Sequence, residues 1–125
     1  MSNPMHIMLS LACDPHLARI VRMTAANVAT LSNMSVERVE DIRMAAEEAF
    51  IYACASTPGE PLSIGFDADD DCVSMTFELA CDDFVEPVDG DMTAAYVDLI
   101  LGSVCDAFDK RRDPAALVLT VKADV

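Results

Sequence analysis

The first segment with a clear hydrophobic pattern has a period of two. Apolar side chains at Met5, Ile7, Leu9 and Leu11 are separated by single residues that face the other way. Side chains of an extended chain point alternately to opposite faces, so this spacing places four apolar residues on one face. The pattern predicts that a β-strand opens the domain.

Two helices are predicted next, because apolar residues recur at intervals of three and four. Asp14 followed by Pro15 is typical of an N-cap and a first helical turn, which predicts a helix that ends near Asn33. Ser35 predicts the cap of a longer second helix that ends near Ser56. The residues expected to be buried on the first helix are Leu17, Ile20, Val21, Thr24 and Val28. Those expected to be buried on the second helix are Val39, Ile42, Ala46, Ala49, Phe50 and Ala53.

The second half of the chain contains more strands and one more helix. A break rich in proline and glycine precedes two alternating segments, 62–67 and 73–79, which predict an antiparallel hairpin. A third helix is predicted over about 92–108. It is followed by a predicted break at 110–114 and a last strand at 117–121.

This order of elements, β-α-α-β-β-α-β, contains no repeat and no linker. The apolar face of a sheet and the apolar stripes of helices are buried together when the helices form a layer over the sheet. The sequence therefore predicts one domain over residues 1–125, of the α/β class. We expect an α+β two-layer sandwich, in which a single mixed β-sheet is covered on one face by helices.

The charge of the chain is strongly acidic and limits its partners. Aspartate and glutamate number 22 against 8 lysines and arginines, which gives a net charge of -14. Such a charge repels nucleic acid and anionic membranes and attracts a basic protein surface; the alternative is that it serves solubility alone. No stretch has the ~18 apolar residues of a membrane span. The segment before Cys13 resembles a lipoprotein cleavage site but lacks a preceding basic region, so we expect a cytoplasmic protein.

The cysteines and acidic residues do not predict a metal site. The five cysteines are an odd number without a C-x-x-C pair, which favours reduced thiols in a cytosolic core. Asp67, Asp69, Asp71 and Glu78 match calcium-loop spacing, but Cys72 stands where such a loop needs glycine. We therefore expect a solvated hairpin turn there.

The second helix resembles the N-box helix of the bacterial anti-sigma-factor serine kinases, members of the GHKL (histidine kinase-like) ATPase superfamily. That helix reads roughly D-[IL]-[KR]-[LM]-A-[VA]-x-E-A-x-x-N-A in the family. The residues that fit are Asp41, Ile42, Arg43, Met44, Ala45, Ala46, Glu48, Ala49 and Ala53. Residues 104–108 are similar to the family's L-x-D-E-V stretch, and the order of elements also fits. The resemblance implies a Bergerat-type ATPase fold and a homodimer that holds a sigma factor or an anti-sigma antagonist.

The resemblance also implies which residues would act on a nucleotide. Glu48 matches the glutamate that serves as general base, one turn before an asparagine that coordinates Mg²⁺. Spacing of four residues places both side chains on one face of the helix. The asparagine position is Tyr52 here, and a neutral phenol is a poor ligand for Mg²⁺. Glu48 is also readable as a solvated helix carboxylate.

The family's two glycine-containing boxes are degenerate in this sequence. If Phe84 is aligned with the family's aromatic residue, the glycines of D-x-G-x-G fall on Cys81 and Asp83. A shifted register lets Asp82 or Asp83 serve as the adenine-binding aspartate, but no G-x-G follows. The glycines of the phosphate-binding box fall on Ala95 and Val97. Five acidic residues between 82 and 91 have the wrong sign for a polyphosphate.

Three functions remain open from the sequence. The first is an anti-sigma regulatory factor-like domain that binds a regulatory protein, with no ATP, Mg²⁺ or enzymatic activity. The second is a functional ATP-dependent serine/threonine kinase with divergent motifs, acting on an anti-sigma antagonist. The third is an unrelated acidic interaction domain or nucleic-acid mimic. For the first, we expect Tyr52 to fill the nucleotide pocket, with its hydroxyl bonded to Glu48 or to a carboxylate of the acidic loop.

Overall fold

The fold is a five-stranded sheet with helices packed on one face, seen in a computed structural model that describes residues 4–84 and 93–125. A 3-10 turn at Pro15–Leu17 precedes the first α-helix. The elements in chain order are β1 Met5–Ala12, α1 Ala18–Ala29, α2 Val36–Ser56, β2 Pro61–Ala68, β3 Cys72–Glu78, α3 Thr93–Val104, β4 Ala107–Arg111 and β5 Ala116–Lys122. The strands are ordered β1-β2-β3-β5-β4.

The predicted α/β class and single sheet are confirmed, but the predicted mixed sheet is wrong. Every neighbouring pair of strands is antiparallel. The described element order also has one more strand than the sequence predicted. The additional strand is β4, which forms an antiparallel hairpin with β5 at the edge of the sheet.

The extra strand occupies the end of the predicted third helix and the start of the predicted break. The helix ends at Val104, and Ala107–Arg111 pairs with β5 as an edge strand. Phe108 and Lys110 share the register of Leu119 and Leu117, which are buried in the core. A lysine at an inward position interrupts the apolar alternation by which a strand is recognised in a sequence.

The core lies between the inner face of the sheet and the helices. The register places Ile64, Phe77 and Leu117 side by side on that face, and Phe66, Met75 and Leu119 in the next row. All six side chains are fully buried. Ile42 and Phe50 of α2 and Val21 of α1 are buried above them, as a helix layer over one apolar sheet face requires.

The first helix begins as predicted, but it ends at Ala29 and not near Asn33, and its buried face overlaps the predicted one only in part. Asp14 Oδ1 accepts a hydrogen bond from the His16 amide at 2.9 Å, which confirms the N-cap. Ile20, predicted to be buried, is 50% exposed, because the buried stripe is centred on Val21, Ala25 and Val28 and Ile20 lies at its edge. The buried residues of α1 are Ala18, Val21, Ala25, Val28 and Ala29.

The second helix has the predicted bounds. Ser35 Oγ accepts a hydrogen bond from the Arg38 amide at 3.1 Å, and Asp124 accepts one from the Ser35 amide at 2.8 Å. A negatively charged carboxylate near the N-terminus of a helix interacts favourably with the positive end of the helix dipole. The Ser35 hydroxyl also donates to Asp124, and this bond, followed by that from the Ser35 amide, lowers the pKa of Asp124 and joins the C-terminal segment to the start of α2.

The acidic turn between β2 and β3 is a hairpin turn, as expected. Asp69 Oδ1 accepts hydrogen bonds from the amides of Asp71 and Cys72, at 2.8 and 3.0 Å. Within residues 4–84 and 93–125, no three histidine, cysteine, aspartate or glutamate side chains are grouped to hold a metal ion. None of the helices in these ranges has both the length and the apolar character needed to cross a bilayer.

Candidate functional site

One stripe of α2 faces α3. Arg38, Asp41, Ala45, Glu48 and Tyr52 follow one another at intervals of three and four, so they share one side of the helix. At one end of the stripe, Arg38 Nη1 donates to the last carbonyl of α3, that of Val104, at 3.3 Å. The stripe carries Glu48 and Tyr52, the two positions at which the resemblance implies the general base and the Mg²⁺ ligand.

Tyr52 is turned inward and is buried. Its ring stacks on that of Phe84, with 5.5 Å between the ring centres and 24° between the ring planes. Offset stacking of two aromatic rings contributes about 0.5–1.5 kcal/mol beyond the burial of their surface. The pair joins α2 to the segment that follows β3.

Lys110 places a cation over this aromatic pair. Its Nζ lies 4.7 Å from the centre of the Tyr52 ring and 5.9 Å from the centre of the Phe84 ring. The same atom donates to Tyr52 Oη at 3.2 Å and forms an ion pair with Asp98 Oδ1 at 2.8 Å. Burial disfavours the ammonium, but the bonds to Asp98 and Tyr52 outweigh it, so the pKa of Lys110 is raised. We call Tyr52, Phe84, Asp98 and Lys110 the Tyr52 cluster.

The cluster corrects one expectation and adds residues that the sequence did not single out. The Tyr52 hydroxyl accepts a hydrogen bond from Lys110, and of the expected partners that the structure describes, Glu48, Asp82 and Asp83, none bonds to it. The other carboxylates of the acidic loop lie outside the described residues. The sequence indicates Phe84 only as the match to the family's aromatic residue, and it does not indicate Asp98. It predicts a loop at Lys110, whereas Lys110 lies at an inward position of β4. A charged side chain that points inward also protects an edge strand from pairing with other chains.

Glu48 lies one turn before Tyr52 and is half-buried. Burial, and secondarily the charge of Glu47, raise the pKa of its carboxyl group. Glu47 itself is paired with Arg22 of α1 at 3.1 Å. Among the residues that the structure describes, none forms a hydrogen bond or an ion pair with Glu48. A carboxyl group with a raised pKa suits a general base, but nothing described here holds it in one orientation.

The remaining predicted nucleotide residues serve structural roles where they are described. Asp83 pairs with Arg112 at 2.6 Å and accepts from the Phe84 amide at 2.8 Å. The bond from Phe84, followed by that from Arg112, lowers the pKa of Asp83. Asp82 is exposed, and its carbonyl accepts from the Asp113 amide at 2.8 Å.

The two positions of the degenerate phosphate-binding box lie in α3. Val97 is buried in the core cluster. Ala95 belongs to the same helix, but its side chain lies outside the described residues, as do residues 85–92 of the acidic loop. The structure thus brings Tyr52 together with the segment 83–84 and with α3, while Glu48 remains on the adjacent turn of α2.

An open groove of about 470 Å³ lies on the opposite face of the sheet, beside the turn between β4 and β5. Two of its lining residues are Arg111 and Arg112. Each arginine is already paired with a carboxylate, Asp109 at 3.2 Å and Asp83 at 2.6 Å. Because both charges are offset within the chain, the groove does not present a free cationic cradle to a polyphosphate.

A scan of the sequence against models of known protein families gives no match, and a search of the curated proteins gives none either. The contacts and charges of the Tyr52 cluster therefore carry the functional interpretation.

Proposed function

We propose that this chain is an anti-sigma regulatory factor-like domain that binds a transcription-regulatory protein and has lost ATP binding and serine kinase activity. The resemblance of α2 to the N-box helix supports the family, together with a helix-covered sheet. The fold we propose is a Bergerat-type ATPase fold in which the nucleotide pocket has become part of the core.

The observation that carries this proposal is the burial of Tyr52 against Phe84 and Lys110. A Mg²⁺ site at this position needs small oxygen ligands in tight octahedral geometry. Here the position holds a phenol ring whose hydroxyl already accepts a hydrogen bond from a lysine. Moving the ring aside would expose its apolar surface and leave Lys110 with one partner fewer, so the closed arrangement is the stable one.

The contacts of Lys110 show how a lysine can lie beside this position without binding the phosphates of a nucleotide. An ammonium group near a nucleotide normally contacts the phosphate oxygens. The ammonium of Lys110 is held between Asp98 and the two aromatic rings, and its side chain is only 21% exposed. Its charge is therefore used within the protein.

The kinase alternative rests on Glu48, whose raised pKa suits a general base. A base alone does not bind ATP, and the matching glycines are absent at Cys81, Asp83, Ala95 and Val97. We therefore place the kinase second. The net charge of -14 equally fits an acidic mimic, but it does not account for the correspondence of α2 to the family motif.

The partner is tested by mixing the purified protein with each sigma factor and each anti-sigma antagonist of its source organism and recording native mass spectra. We expect one stable complex with one of these proteins, formed equally with and without MgATP. Because the acidic surface steers towards basic surfaces, the affinity should fall as salt is raised. Absence of any complex contradicts the anti-sigma assignment, and a complex that requires MgATP favours the kinase.

A further inference from the structure

The outer face of the sheet, opposite the helices, has a glycine in the middle of a central strand. Gly65 of β2 lies between Met8 of β1 and Thr76 of β3 in the register. Glycine weakens the interior of a strand and often marks a place where another group approaches closely. Two side chains approach here. His6 Cε1 and Met8 Sδ lie 3.5 and 3.3 Å from the point that a β-carbon of residue 65 would occupy.

Asp67 holds the ring of His6. The two residues are directly opposite each other in the register, and His6 Nδ1 lies 2.6 Å from Asp67 Oδ1. A carboxylate at Nδ1 favours the tautomer with its proton on that nitrogen, which leaves the lone pair of Nε2 free for a ligand. Nε2 is bonded to Cε1, the ring atom that lies nearest the space over Gly65. Histidine ligands of metal ions are oriented by carboxylates in this way.

We propose that His6 Nε2 and Met8 Sδ form a surface site for a soft monovalent metal ion, Cu(I). Thioether sulfur is a poor ligand for hard cations and selects soft ones, while imidazole suits copper. Both side chains are accessible, at 56% exposure for His6 and 51% for Met8. The ion binds without a change in oxidation state, and the Asp67 carboxylate and the acidic surface offset its charge.

A purely structural role explains only half of this arrangement. An exposed His-Asp pair across two strands supports their register, which accounts for His6 and Asp67. It does not account for the thioether of Met8 beside the same imidazole, or for a glycine beneath both. A metal ion that bridges nitrogen and sulfur accounts for all four residues.

The test uses Ag(I), a diamagnetic ion of the same softness, added as silver nitrate in chloride-free buffer to the full-length protein. Cysteines also bind Ag(I), so the readout must be specific for each site. The protein carries ¹³C-labelled methionine methyl groups and histidine rings, and the signals of Met8 and His6 are followed by NMR. We expect both signals to shift together, with one midpoint and saturation at one ion per site. Cu(I) kept reduced with ascorbate under argon should give the same pair of shifts.

Variants assign the ligands. We expect Met8→Leu, which keeps the volume but removes sulfur, to weaken the response of His6 at least about 10-fold. Asp67→Ala should weaken it by about 10-fold, because the ring is no longer oriented. Met23→Leu is the matched control, since Met23 is 52% exposed on α1, and it should change neither midpoint. Should Met8→Leu fail to fold, His6→Gln provides the reciprocal test on the Met8 signal.

Three results would overturn the proposal. The first is that neither signal moves at a two-fold excess of Ag(I). The second is that the two signals move with different midpoints, or that Met8→Leu leaves the His6 response unchanged. The third is that Zn(II) shifts the Met8 signal as strongly as Ag(I) does, because a site that uses a thioether ligand should discriminate against zinc.

Discussion

The bond between Lys110 and Tyr52 can be measured as a coupling free energy. The perturbation is a double-mutant cycle of Tyr52→Phe, Lys110→Met and the two combined. Tyr52→Phe removes the hydroxyl that accepts from Lys110 Nζ at 3.2 Å and keeps the stacked ring. Lys110→Met keeps an unbranched side chain of similar length and removes the ammonium.

The magnitudes follow from three contacts. A hydrogen bond that involves a charged group contributes about 1.5–3 kcal/mol, an ion pair with a partly exposed carboxylate about 0.2–1, and a cation over an aromatic ring about 0.5–1. Lys110→Met loses all three and regains some sulfur-aromatic contact, so we expect it to lower the free energy of unfolding by about 2 kcal/mol. Tyr52→Phe loses only the hydrogen bond of the hydroxyl, and we expect about 1.5 kcal/mol, the lower end of the range for a bond to a charged group.

The assay is equilibrium unfolding in urea, with the slope m checked for constancy across the four proteins. The hydroxyl and the ammonium interact directly, so the losses of the two single mutants should not add. We expect the double mutant to lose about 1 kcal/mol less free energy of unfolding than the sum of the two single losses. Additivity within about 0.3 kcal/mol refutes the direct bond. A larger loss in Tyr52→Phe than in Lys110→Met contradicts the ranking of the contacts.

Other residues give further expectations. Arg38 donates to the carbonyls of Val104 and Lys122 and to the carboxylates of Asp41 and Asp106. We therefore expect Arg38→Ala to lower the free energy of unfolding in urea by about 2–3 kcal/mol. Arg38→Lys lacks the planar guanidinium and should cost about half as much. Glu48 has a raised pKa in the folded state, so its contribution to stability is present below its ordinary pKa and is lost as the pH rises through the folded value. Glu48→Gln should therefore unfold at equal or higher urea concentration at pH 7, by at most roughly 0.5 kcal/mol, and a lower midpoint would show an unrecognised partner of Glu48. Burial raises the pKa of Cys54 to about 12 and that of Cys105 to about 11. Iodoacetamide at pH 8 should therefore modify the partly exposed Cys81 before either of them. Mass spectrometry of the intact protein should find five free thiols, and an intramolecular disulfide would contradict the reduced core.

Local signals predicted most elements of the fold. The cap at Ser35 and the break after Ser56 gave the bounds of α2, and strict alternation gave β2 and β3. Pairing direction is a long-range property, however, and nothing near β5 in the sequence indicates that an antiparallel strand precedes it. The short strand β4 was missed because Lys110 stands where the alternation requires an apolar residue.

The candidate site shows the same division. Helical spacing predicts that Tyr52 lies on the same side of α2 as Glu48, and the apolar surface of its ring favours burial. Its partner could not be predicted, because Lys110 is brought to it only by the pairing of β4 with β5. A lysine near an aromatic residue in space leaves no pattern in the sequence when 58 residues separate the two.

Our central proposal is that the Tyr52 cluster closes the position that matches the family's Mg²⁺ ligand, and that the domain therefore does not bind nucleotide. Isothermal titration calorimetry with MgATP on the full-length protein tests this most directly, with Glu48→Gln as a matched variant. We expect no saturable heat up to millimolar MgATP, which corresponds to a Kd weaker than about 1 mM, in both proteins. A micromolar Kd for the wild-type protein would contradict the account and favour the divergent kinase.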